Sequence, residues 1–199
     1  MSTRTSDRLR RQLGFVRLAD RLKTVLRRSR IMSGGRLENS AEHSWHLALM
    51  VLALNEHART RVNVSRAMQL ALVHDLPEIL VGDSNVYDVR ARARKAKTEP
   101  RAAARVFGKL PRGQARYFLR LWKEYEACKT PEAKFVRVVD RLEPQMCNFA
   151  NRGYSWKKHG TSARQVNGLN ATWKQDAPAL GVFADQLIRR AVRRDYLKK

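Results

Sequence analysis

Acidic side chains are scarce in this chain: 18 Asp and Glu stand against 41 Lys and Arg, for a net charge of +23 over 199 residues. The surface therefore carries a strong positive potential. It draws polyanions in general, whether nucleic acid, anionic membrane, nucleotides or phosphorylated metabolites, without naming one. Cysteine is almost missing as well. Cys128 and Cys147 lack C-x-x-C spacing and are too few for a disulfide framework, which fits a reducing cytoplasm. No apolar run reaches the ~18 residues that span a bilayer, and the N-terminus has no apolar signal-peptide core, so no membrane role is expected. No Gly/Ser/Pro-rich linker divides the chain, and with 43% hydrophobic residues the expectation is one domain over residues 1–199. Period-two alternation is absent too, which removes the signal for a sheet and leaves an all-α fold.

What is present is helical periodicity. Phe15, Leu18, Leu22 and Val25 recur at three- and four-residue steps, predicting an N-terminal amphipathic helix over 7–30 that ends near the cluster Arg27-Arg28-Ser29-Arg30. Ser33-Gly34-Gly35-Arg36 breaks it. Asn39 and Glu42 have capping-box spacing, and the helix they open, running on to Ala58, is apolar on nearly every side through Trp45, Leu47, Leu49, Met50, Val51, Leu52 and Leu54. It is expected to be the central, buried one. A third helix starts near Ser65 and breaks at Asp75 or Leu76, with Pro77 in the first turn of a short successor. Thr130-Pro131 opens a long helix to about Asn151, and residues 160–199 give two weaker segments separated by Pro178 and Gly181. The domain core is expected over about 22–151.

Two stretches have more than one reading. Between Arg90 and Arg116 stand ten Lys or Arg and a single acid, Glu99. This is either a polyanion-binding face or a solvated helix surface, and with Phe107 its only aromatic it lacks the rings that stack on single-stranded bases. Phe118, Trp122 and Tyr125 form a helical aromatic stripe, read as core rather than cofactor site.

The chemistry concentrates around Leu72-Val73-His74-Asp75-Leu76-Pro77-Glu78. Neighbours on a helix point about 100° apart, so His74 and Asp75 both reach an ion lying in the angle between them. Taken alone, the pair reads as a helix C-terminus. Its company changes that, because His43 and Asp140, on two other helices, also sit in apolar surroundings where imidazoles and acids need partners. One divalent cation satisfies all four. Two imidazoles and two carboxylates without a thiolate suit a six-coordinate ion, Mn²⁺, Co²⁺ or Fe²⁺ ahead of Mg²⁺ or Zn²⁺. His46, one turn beyond His43, is read as a supporting or packing residue.

Glu38-Asn39-Ser40-Ala41-Glu42-His43-Ser44-Trp45, His74-Asp75-x-x-Glu78-x-x-x-Gly82-Asp83, and Glu132-Ala133-Lys134-Phe135-Val136 leading to Asp140 resemble the HD-domain metal-dependent phosphohydrolases, closest to the 5'-deoxynucleotidase branch. The resemblance covers roughly Leu22 to Asn151. It implies that His43, His74, Asp75 and Asp140 are metal ligands and that Glu78 is the carboxylate acting on water. It puts Asp83, Ser84, Asn85 and Val86 beside a nucleotide's sugar, and a phosphate-orienting arginine at Arg28, with Arg27 as the near alternative and Ser29 beside them. The branch carries a tryptophan shortly after this arginine, where this chain has Ser29-Arg30, so a wider or more basic pocket is expected. The implied activity is hydrolysis of nucleoside 5'-monophosphates by a homodimer. The alternatives are nucleic-acid binding through the basic surface or phosphodiester cleavage on the same scaffold.

Overall fold

The structure, a computed structural model, describes residues 6–199. The all-α expectation holds with one addition. Helix α1 (Asp7–Asp20) is capped by the Ser6 side chain, which accepts from the Leu9 backbone, and it stops ten residues short of the expected end. After a 3-10 turn over Arg21–Thr24 the chain becomes extended, and β1 (Leu26–Arg30) pairs antiparallel with β2 (Leu37–Asn39). The reversal uses Gly34 and Gly35, both at positive φ (+83° and +84°), which a side chain would oppose. Asn151 fastens this hairpin by donating from its amide to the Ile31 carbonyl at 2.9 Å. Two short strands are too brief to show alternation in the sequence, so the basic cluster reads there as a helix end when it is a strand.

Helix α2 (Ser40–Leu54) begins at the expected capping box, with Asn39 accepting from the Ala41 and Glu42 backbones and Glu42 reaching back. It is not buried all round. His43, Ser44, Leu47, Ala48, Met50 and Val51 face inward, but Trp45, Leu49 and Leu52 form an outward apolar stripe, Trp45 being 64% exposed. Helix α3 (Val64–Val73) is capped by Asn63 rather than Ser65 and buries Ala67 and Ala71 completely, and their small side chains allow close approach of neighbouring helices. The chain turns through residues 74–77 into α4 (Glu78–Val81) and leaves it at Gly82 with φ +75°.

Helix α5 (Val89–Phe107) takes the basic stretch, α6 (Arg112–Ala127) the aromatic stripe, and α7 (Pro131–Ala150) starts at the Thr130 cap as expected. Then come α8 (Tyr154–Lys158), α9 (Ala163–Asn170) and α10 (Pro178–Arg193). Pro178 is the first residue of α10, where its missing N–H costs nothing, so it marks the division of the tail as expected, while Gly181 lies within that helix and divides nothing. The main core runs from Phe15 through Leu47, Leu70, Val106, Leu121, Phe135 and Val139 to Leu180 and Ala184. A smaller cluster of Trp156, Val166, Leu187, Ile188 and Leu197 closes the tail. No helix among the described residues is long and apolar enough to cross a membrane.

Candidate metal centre

Helix α7 presents Asp140 and Glu143 one turn apart, on the same face, and that face flanks both ring nitrogens of His43 of α2, hydrogen-bonding one of them. His43 Nε2 lies 3.2 Å from Asp140 Oδ1, and Nδ1 lies 3.3 Å from Glu143 Oε2, with the imidazole fully buried. His74 caps the end of α3. Its Nδ1 lies 2.8 Å from the Ala71 carbonyl, which can only accept, so Nδ1 carries a proton and Nε2 is the ring nitrogen left facing the carboxylates. That Nε2 is buried without a hydrogen-bond partner, 3.0 Å from Asp75 Oδ1 and 3.9 Å from Asp140 Oδ1. Ligand atoms of His43, His74 and Asp140 all lie within 4.8 Å of one another, and Asp75 joins them beside His74.

The two carboxylates divide their oxygens in the same way. Asp140 Oδ2 accepts from the Tyr125 hydroxyl at 2.7 Å, leaving Oδ1 toward the imidazoles. Asp75 Oδ2 accepts from Arg27 at 3.1 Å, leaving Oδ1 toward His74. Ring nitrogens and free carboxylate oxygens thus converge in a buried corner, an arrangement a divalent cation satisfies. A proton is the alternative. Burial and Arg27 press the His43 pKa down, yet Asp140 and Glu143 lift it to about 10. Burial works against ionised Asp75 and Asp140, but their histidine neighbours hold both below the usual carboxylate range.

A second buried group stands behind this corner. Glu38 and Glu143 lie close together, with Cys147 donating to Glu143 Oε1 at 2.9 Å. Arg27 Nε, 3.2 Å from Glu38, and the two histidines supply positive charge and donors there, since His46 Nδ1 lies 3.6 Å from Glu143 Oε1. This accounts for His46 as a supporting residue. Burial and Glu143 push the Glu38 carboxyl up to about 7.

In front of the corner opens a cavity of about 290 Å³. His74, Asp75, Asp140, Glu78, Arg27, Arg28, Ser29 and the loop Asp83-Ser84-Asn85-Val86 all line it, while His43 lies behind Asp140. Glu78 is buried with both oxygens engaged: Oε2 accepts from Ser40 Oγ at 2.8 Å and Oε1 from Lys95 Nζ at 2.6 Å. Burial and the nearby Asp75 raise its pKa to about 7, against the pull of Lys95. On the strand, Arg27 turns inward to Asp75 and Glu38, whereas Arg28 faces the cavity with no carboxylate partner among the described residues. Arg30 is drawn away onto the Tyr154 ring, 3.9 Å from its centroid.

Sequence reasoning missed four contributors. Tyr125, read as core only, is core and also holds Asp140. Glu143 was signalled by its place one turn after Asp140, and Glu38 lay inside the motif with no role. Lys95 was hidden among nine other cations.

A helical bundle that gathers two imidazoles and two carboxylates from three segments under a basic cavity is a metal-site helical domain. The chain belongs to the HD domain family, whose model matches residues 19–181. Among its relatives is the 5'-deoxynucleotidase HDDC2 of Danio rerio, 36% identical over 132 residues, covering 66% of this chain and 64% of that protein. The Homo sapiens 5'-deoxynucleotidase HDDC2 is 33% identical over 132 residues, 66% of this chain and 63% of that one. The chain thus spans somewhat less than two thirds of the length of these curated relatives. Over nearly its whole length it superposes on the crystal structure of a "Predicted metal-dependent phosphohydrolase" from Magnetospirillum magnetotacticum MS-1, with 41% identity, a TM-score of 0.90, and 98% and 100% of the two chains covered. Membership implies a divalent metal, and His43, His74 and Asp140 are a candidate site for it.

Proposed function

We propose that this protein is a metal-dependent phosphomonoesterase that releases phosphate from nucleoside 5'-monophosphates. The observation that carries the reading is the meeting, in one cavity, of the buried and unpartnered His74 Nε2, the two divided carboxylates, and Glu78. His43, His74, Asp75 and Asp140 would hold the cation. It supplies Lewis acidity toward a phosphoryl oxygen and acidifies water at the site. The donor set favours Mn²⁺, Co²⁺ or Fe²⁺ over Mg²⁺ or Zn²⁺. Glu78 takes the proton of the attacking water, its carboxylate held between Ser40 and Lys95. Arg28, with no competing carboxylate, neutralises the phosphoryl oxygens as the alcohol leaves, while Arg27 fixes Asp75. Asp83, Ser84, Asn85 and Val86 border the sugar, and Ser29 leaves room there.

The rest of the reading follows from packing and surface. The whole chain works as one domain, since the main core takes residues from both ends. The outward Trp45, Leu49 and Leu52 stripe supports a homodimer. The two free cysteines suit the cytoplasm. A second reading, binding of nucleic acid, is favoured by the outward cations of α5, among them Arg90, Arg94, Lys97, Arg101 and Arg105.

The test is phosphate release from ribo- and deoxyribonucleoside monophosphates, beside a short oligonucleotide, with Co²⁺, Mn²⁺ or Mg²⁺. Release from monophosphates that stops with chelator and with Asp140→Ala is expected. Release from none of them overturns the proposal, and cleavage of the oligonucleotide alone moves the activity to phosphodiesters.

A further inference from the structure

Of the ten cations between Arg90 and Arg116, two border the cavity, Arg92 and Lys95, and Lys95 is the one that pairs with buried acids. Lys95 keeps only 25% of its side chain exposed, and its Nζ lies 2.6 Å from Glu78 Oε1 and 3.2 Å from Glu99 Oε1. Glu99, the lone acid of the stretch, is one helical turn further on and is also buried, 8% exposed. The basic run therefore contains a single i, i+4 pair, and that pair is aimed at Glu78.

We propose that Lys95, held by Glu99, is the positioning residue that orients Glu78 toward water; this rests on Glu78 being the base. A glutamate has three rotatable bonds, and a base that drifts by an ångström loses its geometry. Ser40 Oγ ties one oxygen to the N-terminal turn of α2, the helix that carries His43. That single tether leaves the carboxylate free to swing about it. Lys95 supplies the second tether from α5, a helix that carries no candidate ligand. With one donor on each oxygen, each retains a lone pair, so the carboxylate is fixed and still able to take a proton. Glu99 matters because a lysine on a four-carbon stem is a flexible point charge, and a second buried carboxylate holds its Nζ in place. Lys95 and Glu99 lie side by side on α5, ahead of the apolar face that Ala102, Ala103, Val106 and Phe107 bury, so their pairing is directed at Glu78.

The experiment compares wild type with Lys95→Ala, Lys95→Met, Lys95→Arg and Glu99→Gln, with Lys97→Ala as a control for lost surface charge. Each is assayed on nucleoside monophosphates and on p-nitrophenyl phosphate, with Mn²⁺ affinity measured by calorimetry. Lys95→Ala and Lys95→Met should lose about 10- to 100-fold in kcat, less than removal of the base itself, with KM and Mn²⁺ affinity changed by no more than about threefold. Lys95→Arg and Glu99→Gln should fall between these and wild type. Ethylammonium should restore part of the kcat of Lys95→Ala saturably and leave wild type unchanged, a response that a merely structural lysine would not give. Wild-type kcat in Lys95→Ala and Lys95→Met overturns the proposal. So does a loss tracked by Mn²⁺ affinity and untouched by the amine. Hydrolysis of p-nitrophenyl phosphate without any nucleotide refutes the nucleotide reading alone, and the comparison then stands on that ester. Hydrolysis of neither overturns both.

Discussion

Replacing Arg27 by methionine removes one guanidinium from between two buried acids, and the cost follows from what is left behind. Arg27 sits 3.1 Å from Asp75 and 3.2 Å from Glu38, and the side-chain exposures of the three are 11%, 7% and 4%. Solvent screens such a group little. Breaking a buried pair from one side costs about 3–5 kcal/mol, because the stranded carboxylate has exchanged water for nothing. At about 2–4 °C per kcal/mol for a domain of this size, the expected loss is roughly 6–20 °C in Tm. The assay is urea unfolding with chelator present, read by linear extrapolation. The deficit should grow with pH from about 6 to about 8. Glu38, already raised to about 7 by burial and Glu143, escapes part of the cost when protonated and bears all of it when ionised. It should also narrow when a divalent cation is supplied, since the ion takes over Asp75 while Glu38 stays unpaired. A variant within about 1 kcal/mol of wild type in chelator, or a deficit that falls as pH rises, would refute this account of Arg27.

Further predictions concern the same cavity. Glu78→Ala should keep its metal affinity and lose about 10²- to 10⁴-fold in kcat, measured under single-turnover conditions. Because the base must be ionised and burial with Asp75 raises Glu78 to about 7, kcat should rise with pH through about 7; a flat profile would remove that assignment. The same shift, from an ordinary value of 4.5, means that Glu78 lowers stability as pH climbs from 4.5 to about 7, because the unfolded chain loses its proton first. Glu143→Ala, which frees His43 Nδ1, should weaken metal binding about 10- to 100-fold by calorimetry. Ser29→Trp should narrow the pocket and raise the ratio of deoxyribo- to ribonucleotide turnover, and an unchanged ratio would show that Ser29 does not border the sugar.

The candidate metal corner was legible because its parts are chemically odd where they stand. His43, His74-Asp75 and Asp140 each interrupt an apolar helical face, and burying them without partners is too costly to be accidental. The caps at Asn39 and Thr130 were legible because a cap is a local event of four residues. The hairpin was not. Its two strands are held by pairing across a turn and by Asn151, far along the chain, and nothing in Leu26-Arg27-Arg28-Ser29-Arg30 alone distinguishes a strand from a helix end. Tyr125 and Lys95 were misread for a different reason. Each looks like its neighbours in sequence, an aromatic among core aromatics and a cation among surface cations. Only the tertiary packing of α6 on α7, and of α5 over α4, sets them apart.

Asp75 and Asp140 each have one oxygen committed to the scaffold, through Arg27 and Tyr125. If these two are ligands, as proposed above, each would offer a cation one free oxygen rather than two. Small six-coordinate ions are content with single oxygens at short range, whereas Ca²⁺ seeks six to eight oxygens, often in bidentate pairs. Under that proposal, metal choice would be written partly outside the ligands. On the proposed ligand set the Tyr125 phenol and the Arg27 guanidinium would act as the ion's gauge, and a chain that lost either would trade a narrow taste in cations for a broad one.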